Sequence, residues 1–349
     1  MRSIRIGFLV ATVLASVGLL AMSAGASAAS PRRVSFQRGV TIADWGTGAY
    51  GESGYGRLVH SLKRRGVDTV TLLVLWEQDN THSVTVTPDS GTVTTARLVK
   101  AINTAHAAHL RVILKPYIAL RTGVWRGLIT PSSVVKWFAS YDSFILRYAR
   151  LAQQEHVQGF VVGTEMQSMQ RYAVRWRALI HQVRRVFRTG FVTYQANHNA
   201  LTERKAAVTW WGAVDVIDIS AYWPLNRHGR FGVPDLISGW SRWYSLLNRL
   251  HRKFHRDVMF GESGYTPYTR TFAEPWNIAP LGRHRPAAQA NGYTAAFRVW
   301  YPTPWFKGFE WWYVSANPAL RSTPGGNDEP RPPALKVLRR WYLNRKPAG

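Results

Sequence analysis

The sequence lacks cysteine altogether and is poor in acidic residues. Without a thiol, the chain cannot form disulfides, a thiolate zinc site, a cysteine nucleophile or a cysteine-borne lipid anchor. Only 19 Asp and Glu stand against 45 Lys and Arg, which gives a formal net charge of +26. A net charge of this size indicates which partners the protein can bind, but it does not indicate the fold. Apolar residues make up 46% of the chain and aromatic residues 13%, so a disordered protein is excluded as well.

Long apolar runs are missing except at the N-terminus. There, a basic start precedes an apolar run from Ile6 to Met22 and the small residues Ala26-Ser27-Ala28. This order predicts a signal peptide over residues 1–28, whose removal leaves residues 29–349 as the mature protein. An uncleaved membrane anchor is the alternative, because the run approaches the shortest length that spans a bilayer. We therefore expect a secreted protein, extracellular or associated with the cell wall, without a further membrane segment.

Short β-branched runs alternate with amphipathic segments along the mature chain. The predicted strands are Val40–Ala43, Thr69–Leu75, Arg111–Leu114, Gly159–Val162, Phe191–Tyr194, Val214–Ser220, Val258–Phe260 and Lys307–Trp311. A helical pattern follows each strand, although the fifth, about Leu201–Trp210, is weak. Eight strand–helix units predict an α/β protein with a single (β/α)₈ TIM-barrel domain. An open doubly wound sheet, which needs no eighth unit, is the alternative.

In such a barrel the site is built where the strands end. Glu165 and Glu262 end the fourth and seventh predicted strands. Side chains alternate along a strand, so Glu165 is expected to share a face with Gly163, and both to face the barrel axis. Glu262 is expected to share that face with Phe260 for the same reason. Two carboxylates suit glycoside hydrolysis, in which one protonates the leaving oxygen and the other attacks the anomeric carbon. The alternative is that each glutamate caps a helix or pairs with an arginine.

Aromatic side chains with a few polar ones collect at the same predicted rim. They suit sugar rings, whose C–H faces pack on aromatic rings while the hydroxyls need hydrogen-bond partners. The candidates for substrate binding are Trp45, Trp76, Lys115, Trp125, Asn197, Tyr222, Trp223, Trp311 and Trp312. Trp276 is expected to join the tryptophans along an open cleft. We expect Asn197 and Lys115 to bind sugar hydroxyls and Tyr222 to hydrogen-bond the nucleophile. Packing or loop support at the rim is the alternative for each.

Five segments of the chain occur in a recognisable order. They are Leu114-Lys115-Pro116, Val124-Trp125-Arg126-Gly127, Phe160-Val161-Val162-Gly163-Thr164-Glu165, Ile219-Ser220-Ala221-Tyr222-Trp223-Pro224-Leu225 and Gly261-Glu262-Ser263-Gly264-Tyr265. The order resembles glycoside hydrolase family 113, within the clan A hydrolases, from about Gly39 to Tyr342. The resemblance implies a (β/α)₈ barrel and retaining endo-hydrolysis of β-1,4-mannan or glucomannan. It also implies that Glu165 is the acid/base and Glu262 the nucleophile.

Two positions near the glutamates bear on the pocket. Thr164 stands where clan A enzymes commonly carry an Asn that binds the sugar 2-hydroxyl, as expected for this family, and joins the substrate-binding candidates. Asp218 lies in the sixth predicted strand, where the resemblance leads us to expect a small neutral residue. A buried carboxylate is costly unless it is hydrogen-bonded or protonated. Either a basic partner such as Lys115 reaches Asp218, or Asp218 reshapes the pocket for a different substrate.

Two further patterns suggest cofactors but fail on context. Gly46–Gly51 matches G-x-G-x-x-G after a predicted strand, but no helix opens at the motif and Glu77 lies too far away for a ribose contact. His106 and His109 share a predicted helix without a carboxylate to complete a metal site. We therefore expect neither a cofactor nor a metal.

Basic residues cluster where predicted helices end. The three basic clusters are Lys63-Arg64-Arg65, Arg184-Arg185 with Arg188, and Arg252-Lys253 with Arg256. In a barrel they lie on the face opposite the mouth, where they predict a patch for an anionic cell-wall polymer; helix-dipole complementarity is the alternative. No nucleic-acid motif accompanies the charge, so we expect the partner to be a polysaccharide and not a nucleic acid. We also expect the protein to be a monomer. Two other functions stay open: a barrel that binds cell-wall or anionic polysaccharide without catalysis, and a clan A hydrolase of a different β-glycan.

Overall fold

The computed structural model of the protein describes residues 31–226, 228–321 and 332–348. The predicted signal peptide and its cleavage site lie outside these residues. From Pro31 onwards the chain forms one compact unit. Within the described residues, no helix combines the length and the apolar character that crossing a bilayer requires.

Eight parallel strands form a closed barrel in chain order, because the last strand pairs with the first. The strands are β1 (Gln37–Ala43), β2 (Thr69–Gln78), β3 (Arg111–Leu120), β4 (Gly159–Thr164), β5 (Phe191–Asn197), β6 (Val216–Ser220), β7 (Val258–Ser263) and β8 (Phe306–Ser315). Several run further towards the mouth than predicted; β3, for example, ends at Leu120 rather than Leu114. The TIM-barrel prediction is confirmed, and closure of the sheet excludes the open doubly wound alternative.

Seven α-helices alternate with these strands in the described part of the chain. They are α1 (Ser53–Arg64), α2 (Thr95–Ala107), α3 (Val134–Gln154), α4 (Ala173–Val186), α5 (Val233–Phe254), α6 (Pro286–Trp300) and α7 (Ala334–Asn344). The prediction of a helix at Leu201–Trp210 is wrong, since short 3₁₀ turns connect β5 to β6 over residues 198–213. The buried ring of Trp210 stacks on Trp176 of α4 at 5.4 Å and donates a hydrogen bond to the carbonyl of Gln170. This anchored loop covers the barrel where a helix was expected.

The barrel interior contains both apolar and polar side chains. A small apolar cluster that includes Ile113, Val161 and Met259 forms one layer of it. Above and around this layer lie buried polar side chains, among them Thr71, Lys115, Gln195, Asp218 and Glu310. Buried polar groups are costly unless they find partners, and here Thr71 donates to Glu310 at 3.0 Å and Gln195 to Ser220 at 2.7 Å. The polar interior leads up to the mouth of the barrel.

Candidate active site

An open cavity of about 400 Å³ lies at the C-terminal ends of the strands. Glu165, just after β4, and Glu262, in β7, both line it, with exposed fractions of only 6% and 4%. The other lining residues are Tyr117, Trp125, Arg126, Asn197, His198, Asn199, Tyr222, Trp276, Ile278 and Trp312. The structure thus brings the two glutamates together in one cavity at the catalytic face of the barrel.

An extra residue in β4 turns Glu165 towards the cavity. The strand advances three residues, from Val161 to Thr164, while the paired β5 advances two. A Cβ atom at Gly163 would lie 2.9 Å from Trp176 of α4, so position 163 faces the helices. Glu165 then takes a left-handed backbone conformation, with φ of 54°, which is uncommon for a residue with a side chain and recurs at active sites. The expectation that Glu165 shares a face with Gly163 is wrong, because a β-bulge interrupts the alternation.

A second bulge does the same for Glu262. β7 advances three residues, from Met259 to Glu262, while β6 advances two. Phe260 packs outwards between Trp240 and Trp300, with ring centroids 5.8 and 4.9 Å away. Simple alternation after Phe260 would have turned Glu262 outwards as well, so the expected shared face is again wrong. The extra residue turns the Glu262 carboxylate inwards.

Asp218 of β6 supports the β7 bulge from inside the barrel. Its Oδ1 accepts a hydrogen bond from the Gly261 amide at 2.6 Å. A Cβ atom at position 261 would lie 2.4 Å from the same oxygen, so only glycine fits beside this carboxylate. The partner of Asp218 is therefore a backbone amide, whereas Lys115 forms its ion pair with Glu262 and acts on Asp218 at longer range. Asp218 is not among the described residues that line the cavity.

Asp218 makes stability depend on pH. Burial raises the pKa of Asp218 to about 7, although Lys115 and the Gly261 amide counteract it. The folded protein keeps a proton that the unfolded chain releases near pH 4, so stability falls as the pH rises from about 4 to 7. Asp218→Asn keeps an acceptor for Gly261 without the charge, and we expect its stability relative to wild type to improve by about 2–4 kcal/mol between pH 4 and pH 8. Urea unfolding at both pH values measures this, and an equal difference at both would contradict it.

Three N–H groups donate hydrogen bonds to the carboxylate of Glu165. Arg126 Nη1 and Trp125 Nε1 both donate to Oε2, at 2.9 and 3.0 Å. Asn197 Nδ2 donates to Oε1 at 3.1 Å. Burial by itself raises the pKa of Glu165, but the charge of Arg126 and the hydrogen bond from Trp125 outweigh it, so the pKa lies below its ordinary value. The surroundings therefore favour the ionised form of Glu165.

Lys115 is the partner of Glu262. Its Nζ lies 2.9 Å from Oε1, and both side chains are almost wholly buried. The ammonium also lies 5.3 Å from the centre of the Trp312 ring. Burial raises the pKa of Glu262, an effect that Lys115 reduces and the nearby Glu165 charge increases. The surroundings therefore act in opposite directions on the two carboxyl groups, lowering the pKa of Glu165 and raising that of Glu262.

The predicted aromatic lining is present only in part. Trp125, Trp276 and Trp312 line the cavity, together with Asn197 and Tyr222. Trp276 is half-exposed and stacks on the His198 ring at 5.2 Å. Trp45 packs edge-on beside the cavity, 6.0 Å from both Trp312 and Tyr117. Contacts of these residues with sugar, and the hydrogen bond from Tyr222 to the nucleophile, stay predictions.

Two tryptophans expected at the mouth face the helices instead. Trp76 stacks on Phe144 of α3 at 4.6 Å, and Trp311 stacks on Tyr293 of α6 at 4.0 Å. Adjacent residues of a strand point to opposite sides, so only Trp312 of the Trp311-Trp312 pair can face the cavity. For Trp76 and Trp311 the expected role in substrate binding is therefore corrected to packing of the core.

Three further candidates also lie outside the catalytic cavity. Trp223 is buried against Trp243 at 5.3 Å and lines a neighbouring cavity of about 370 Å³. Thr164 is 1% exposed, in the wall of the barrel. Lys115 lies beneath the cavity, where its ammonium contacts Glu262 and the carbonyl of Gly261. The expectation that Lys115 binds sugar hydroxyls is therefore wrong, because its buried ammonium forms an ion pair with Glu262.

Sequence reasoning missed five residues of the cavity wall: Tyr117, Arg126, His198, Asn199 and Ile278. Arg126 contacts Glu165 directly, and Tyr117 lies beneath the Arg126 guanidinium at 3.8 Å. Arg126 stands in the Val124–Gly127 segment, between a tryptophan and a glycine. An arginine beside a predicted acidic site could have been noticed there, since a buried carboxylate needs a cation or donors.

Comparison with known proteins identifies the family of the chain. The sequence profile of Glycoside Hydrolase Family 113 matches residues 43–329. The chain is similar to a family 113 β-1,4-mannanase structure solved as a complex, with 26% identity and a TM-score of 0.77 over 89% of this chain and 100% of that chain. It is also similar to the family 113 β-mannanase from Alicyclobacillus acidocaldarius in complex with ManMIm, with 27% identity and a TM-score of 0.77 over 88% and 97% of the two chains.

More distant similarity concerns the fold alone. A family 5 mannosidase from Rhizomucor miehei shares 10% identity with a TM-score of 0.56, over 88% of this chain and 92% of that chain. No curated protein sequence matches the chain significantly. The family profile, in contrast, extends from the end of β1 past β8 and includes both glutamates with their cationic partners. The protein is therefore a glycoside hydrolase and belongs to Glycoside Hydrolase Family 113.

Proposed function

We propose that the protein hydrolyses internal β-1,4 linkages of mannan or glucomannan with retention of the anomeric configuration. The observation that carries the proposal is the pair of buried glutamates, Glu165 and Glu262, which line one open cavity from β4 and β7. Similar structures of the same family are a β-1,4-mannanase and a β-mannanase, which supports the substrate class. An open cavity also suits an enzyme that admits a polymer and cuts within it.

The proposed reaction is a double displacement. In the first step the Glu262 carboxylate attacks the anomeric carbon while Glu165 gives its proton to the leaving oxygen, so a glycosyl ester forms as the glycosidic bond breaks. In the second step Glu165 takes a proton from water, whose oxygen attacks the anomeric carbon and releases Glu262. Lys115 stabilises the Glu262 carboxylate that departs in this step. Trp312 and Trp125 offer ring surfaces to the sugar.

A substrate screen tests the proposal. The purified protein is incubated with mannan, glucomannan, cellulose, xylan and anionic wall polymers, and products are identified by chromatography and by ¹H NMR of the first anomer formed. We expect oligosaccharides from mannan or glucomannan, with the β-anomer appearing first. Hydrolysis of another glycan in place of mannan, or the α-anomer first, would contradict the proposal. Binding to polysaccharide without turnover of any polymer would support the non-catalytic alternative.

The proposal also places the enzyme outside the cell, at an anionic wall. Export is inferred from the signal-peptide pattern of residues 1–28. Attachment to the wall is inferred from the basic clusters at the end of the barrel opposite the mouth. The exposed cations of the basic clusters are Lys63, Arg64, Arg185, Arg188, Arg252 and Lys253. Neighbouring helix ends meet on this face, since Lys63 donates to the carbonyl of His109 and the Arg188 amide to Gln153.

Three aspartates on this face pair with cations other than the exposed ones. Asp68 pairs with Arg38 and Arg111. Asp215 pairs with Arg184, and Asp257 with Lys307. These pairs leave the exposed members of the basic clusters free to attract a polyanion. Each cluster is nevertheless smaller than predicted, because one arginine of each is half-buried. Arg184 pairs with Asp215, while Arg65 and Arg256 donate hydrogen bonds to backbone carbonyls.

Salt dependence tests this attachment. We expect the protein to sediment with purified cell wall at low salt and to stay in solution at 1 M salt, because the Debye length falls from about 10 Å at 0.1 M to about 3 Å at 1 M. Replacing the six exposed cluster cations by Gln should abolish sedimentation and leave hydrolysis of a soluble neutral substrate unchanged. A matched control replaces six exposed cations on the helix flanks: Lys100, Arg147, Arg150, Arg175, Arg177 and Arg249. Equal loss in both variants would mean that net charge alone, and not this face, binds the wall.

A further inference from the structure

The side chain of Arg126 is fixed by three partners in three directions. Its Nε donates to the carbonyl of Ile118 at 2.8 Å, and its Nη1 donates to Glu165 at 2.9 Å. Its Nη2 donates to the hydroxyl of Tyr117, whose ring lies 3.8 Å below the guanidinium carbon. Only 11% of the Arg126 side chain is exposed. The guanidinium is thus held in place before any substrate arrives, and Glu165 is the carboxylate it faces.

Both oxygens of Glu165 already accept hydrogen bonds. Arg126 and Trp125 donate to Oε2, and Asn197 donates to Oε1. Oε2 already accepts two hydrogen bonds, so a proton added to that oxygen would displace an N–H donor. A proton on either oxygen would also leave the buried Arg126 cation without its counter-charge, which is costly. The geometry therefore opposes protonation of the residue that has to be protonated to act as an acid.

We propose that Arg126 is a positioning residue that sets the proton affinity of Glu165 and thereby the upper pH limit of hydrolysis. The inference rests on the function proposed above, in which Glu165 is the general acid. A positive charge that opposes protonation of the general acid lowers the pH above which the acid has lost its proton. The alkaline limb of the pH profile of kcat/KM reports this loss.

The other charged and titratable groups near Glu165 do not replace Arg126. They are Lys115 and Tyr117 of β3, Tyr194 of β5, His198 after β5, and Glu262 of β7. Lys115 is paired with Glu262, and the Glu262 charge acts in the opposite direction to a cation. Tyr117 and Tyr194 are neutral phenols, since burial raises the pKa of both well above the neutral range. Among the residues that the structure describes, Arg126 is the cation in direct contact with Glu165.

Removal of the Arg126 charge changes which of the two glutamates is protonated. The reaction needs the proton on Glu165 and an ionised Glu262, whereas the contacts in the free protein favour the opposite distribution. Without the Arg126 charge, Glu165 binds its proton more tightly, so a larger fraction of singly protonated enzyme has the working arrangement. The loss of the last proton from the pair then also moves to higher pH.

The test compares Arg126→Met with Arg126→Lys and Arg121→Met. Arg121 lies at the same end of β3, but it pairs with Glu77 and Asp79 and is half-exposed, so it serves as the control for loss of a nearby cation. ¹³C NMR of labelled glutamate carboxyl groups follows the titration of Glu165 without any turnover, and Glu165→Gln assigns the resonance. The pH profile of kcat/KM is measured on the same proteins.

We expect the pKa of Glu165 and the alkaline limb to rise together by about one pH unit or more in Arg126→Met. In Arg126→Lys and Arg121→Met both should stay within about 0.3 of wild type. An unchanged NMR titration in folded Arg126→Met overturns the inference, as does an equal rise in the Arg121 control. If instead the titration shifts while the alkaline limb does not, the inference about proton affinity holds but Glu165 is not the acid, and the proposed function fails separately.

Discussion

Glu262→Ala is expected to lose about 10⁴-fold or more in turnover of mannan, because removal of the nucleophile leaves no group to form the glycosyl ester. Azide should restore part of the rate. It fits the space of the missing carboxylate, attacks from the same side, and cannot be displaced in a second step. The product is then the glycosyl azide of inverted, α configuration. Chromatography and ¹H NMR of the azide product measure both the rescue and its stereochemistry.

A matched control for this result is Glu77→Ala. Glu77 also lies near the end of a barrel strand, in β2, but it pairs with Arg121 rather than lining the cavity. Its replacement should leave turnover and the azide response close to wild type. Unchanged turnover in Glu262→Ala, or azide product of retained configuration, would remove Glu262 from the nucleophile's role.

Glu165→Ala is expected to lose about 10²–10⁴-fold on mannan, the usual contribution of a general acid. The loss should depend on the leaving group. An aryl β-mannoside with a strongly acidic phenol needs no proton for departure, so its first step should proceed at close to the wild-type rate. The glycosyl ester then accumulates, because no base activates water. Burst kinetics with the activated substrate measure the two steps separately.

Azide distinguishes the two glutamates. In Glu165→Ala it attacks the glycosyl ester on Glu262 without help from a base, so the azide product keeps the β configuration, opposite to the product of Glu262→Ala. Equal loss on activated and natural substrates would mean that Glu165 does not donate the proton. An α-azide from Glu165→Ala would mean that the two roles are exchanged.

The sequence was sufficient to predict the barrel and the position of both glutamates along the chain. Short β-branched runs and amphipathic segments are local patterns, and alternation of strands and helices leaves few architectures. The one wrong helix, at Leu201–Trp210, lies where Trp210 packs against Trp176 and Tyr194 from distant elements. That contact is a tertiary one, so no local pattern could have predicted it.

The direction of the two glutamates was decided by the tertiary structure. A period of two along β4 and β7 predicts the shared faces with Gly163 and Phe260, and both predictions are wrong. Bulges arise because a strand has to stay in register with both neighbours, and that pairing is not encoded within the strand. Asp218 was unexpected in the sequence. The structure explains it, because its carboxylate accepts a hydrogen bond from the Gly261 amide in the β7 bulge.

The sequence by itself determined which chemical groups the protein carries and at which end of which strand they lie. The tertiary structure decided which groups meet: Arg126 with Glu165, Lys115 with Glu262, and Trp312 rather than Trp311 with the cavity. The physical reason is that side-chain type and local period are properties of short segments. Charge pairing and pKa depend on burial and on distances between segments that only closure of the barrel brings together.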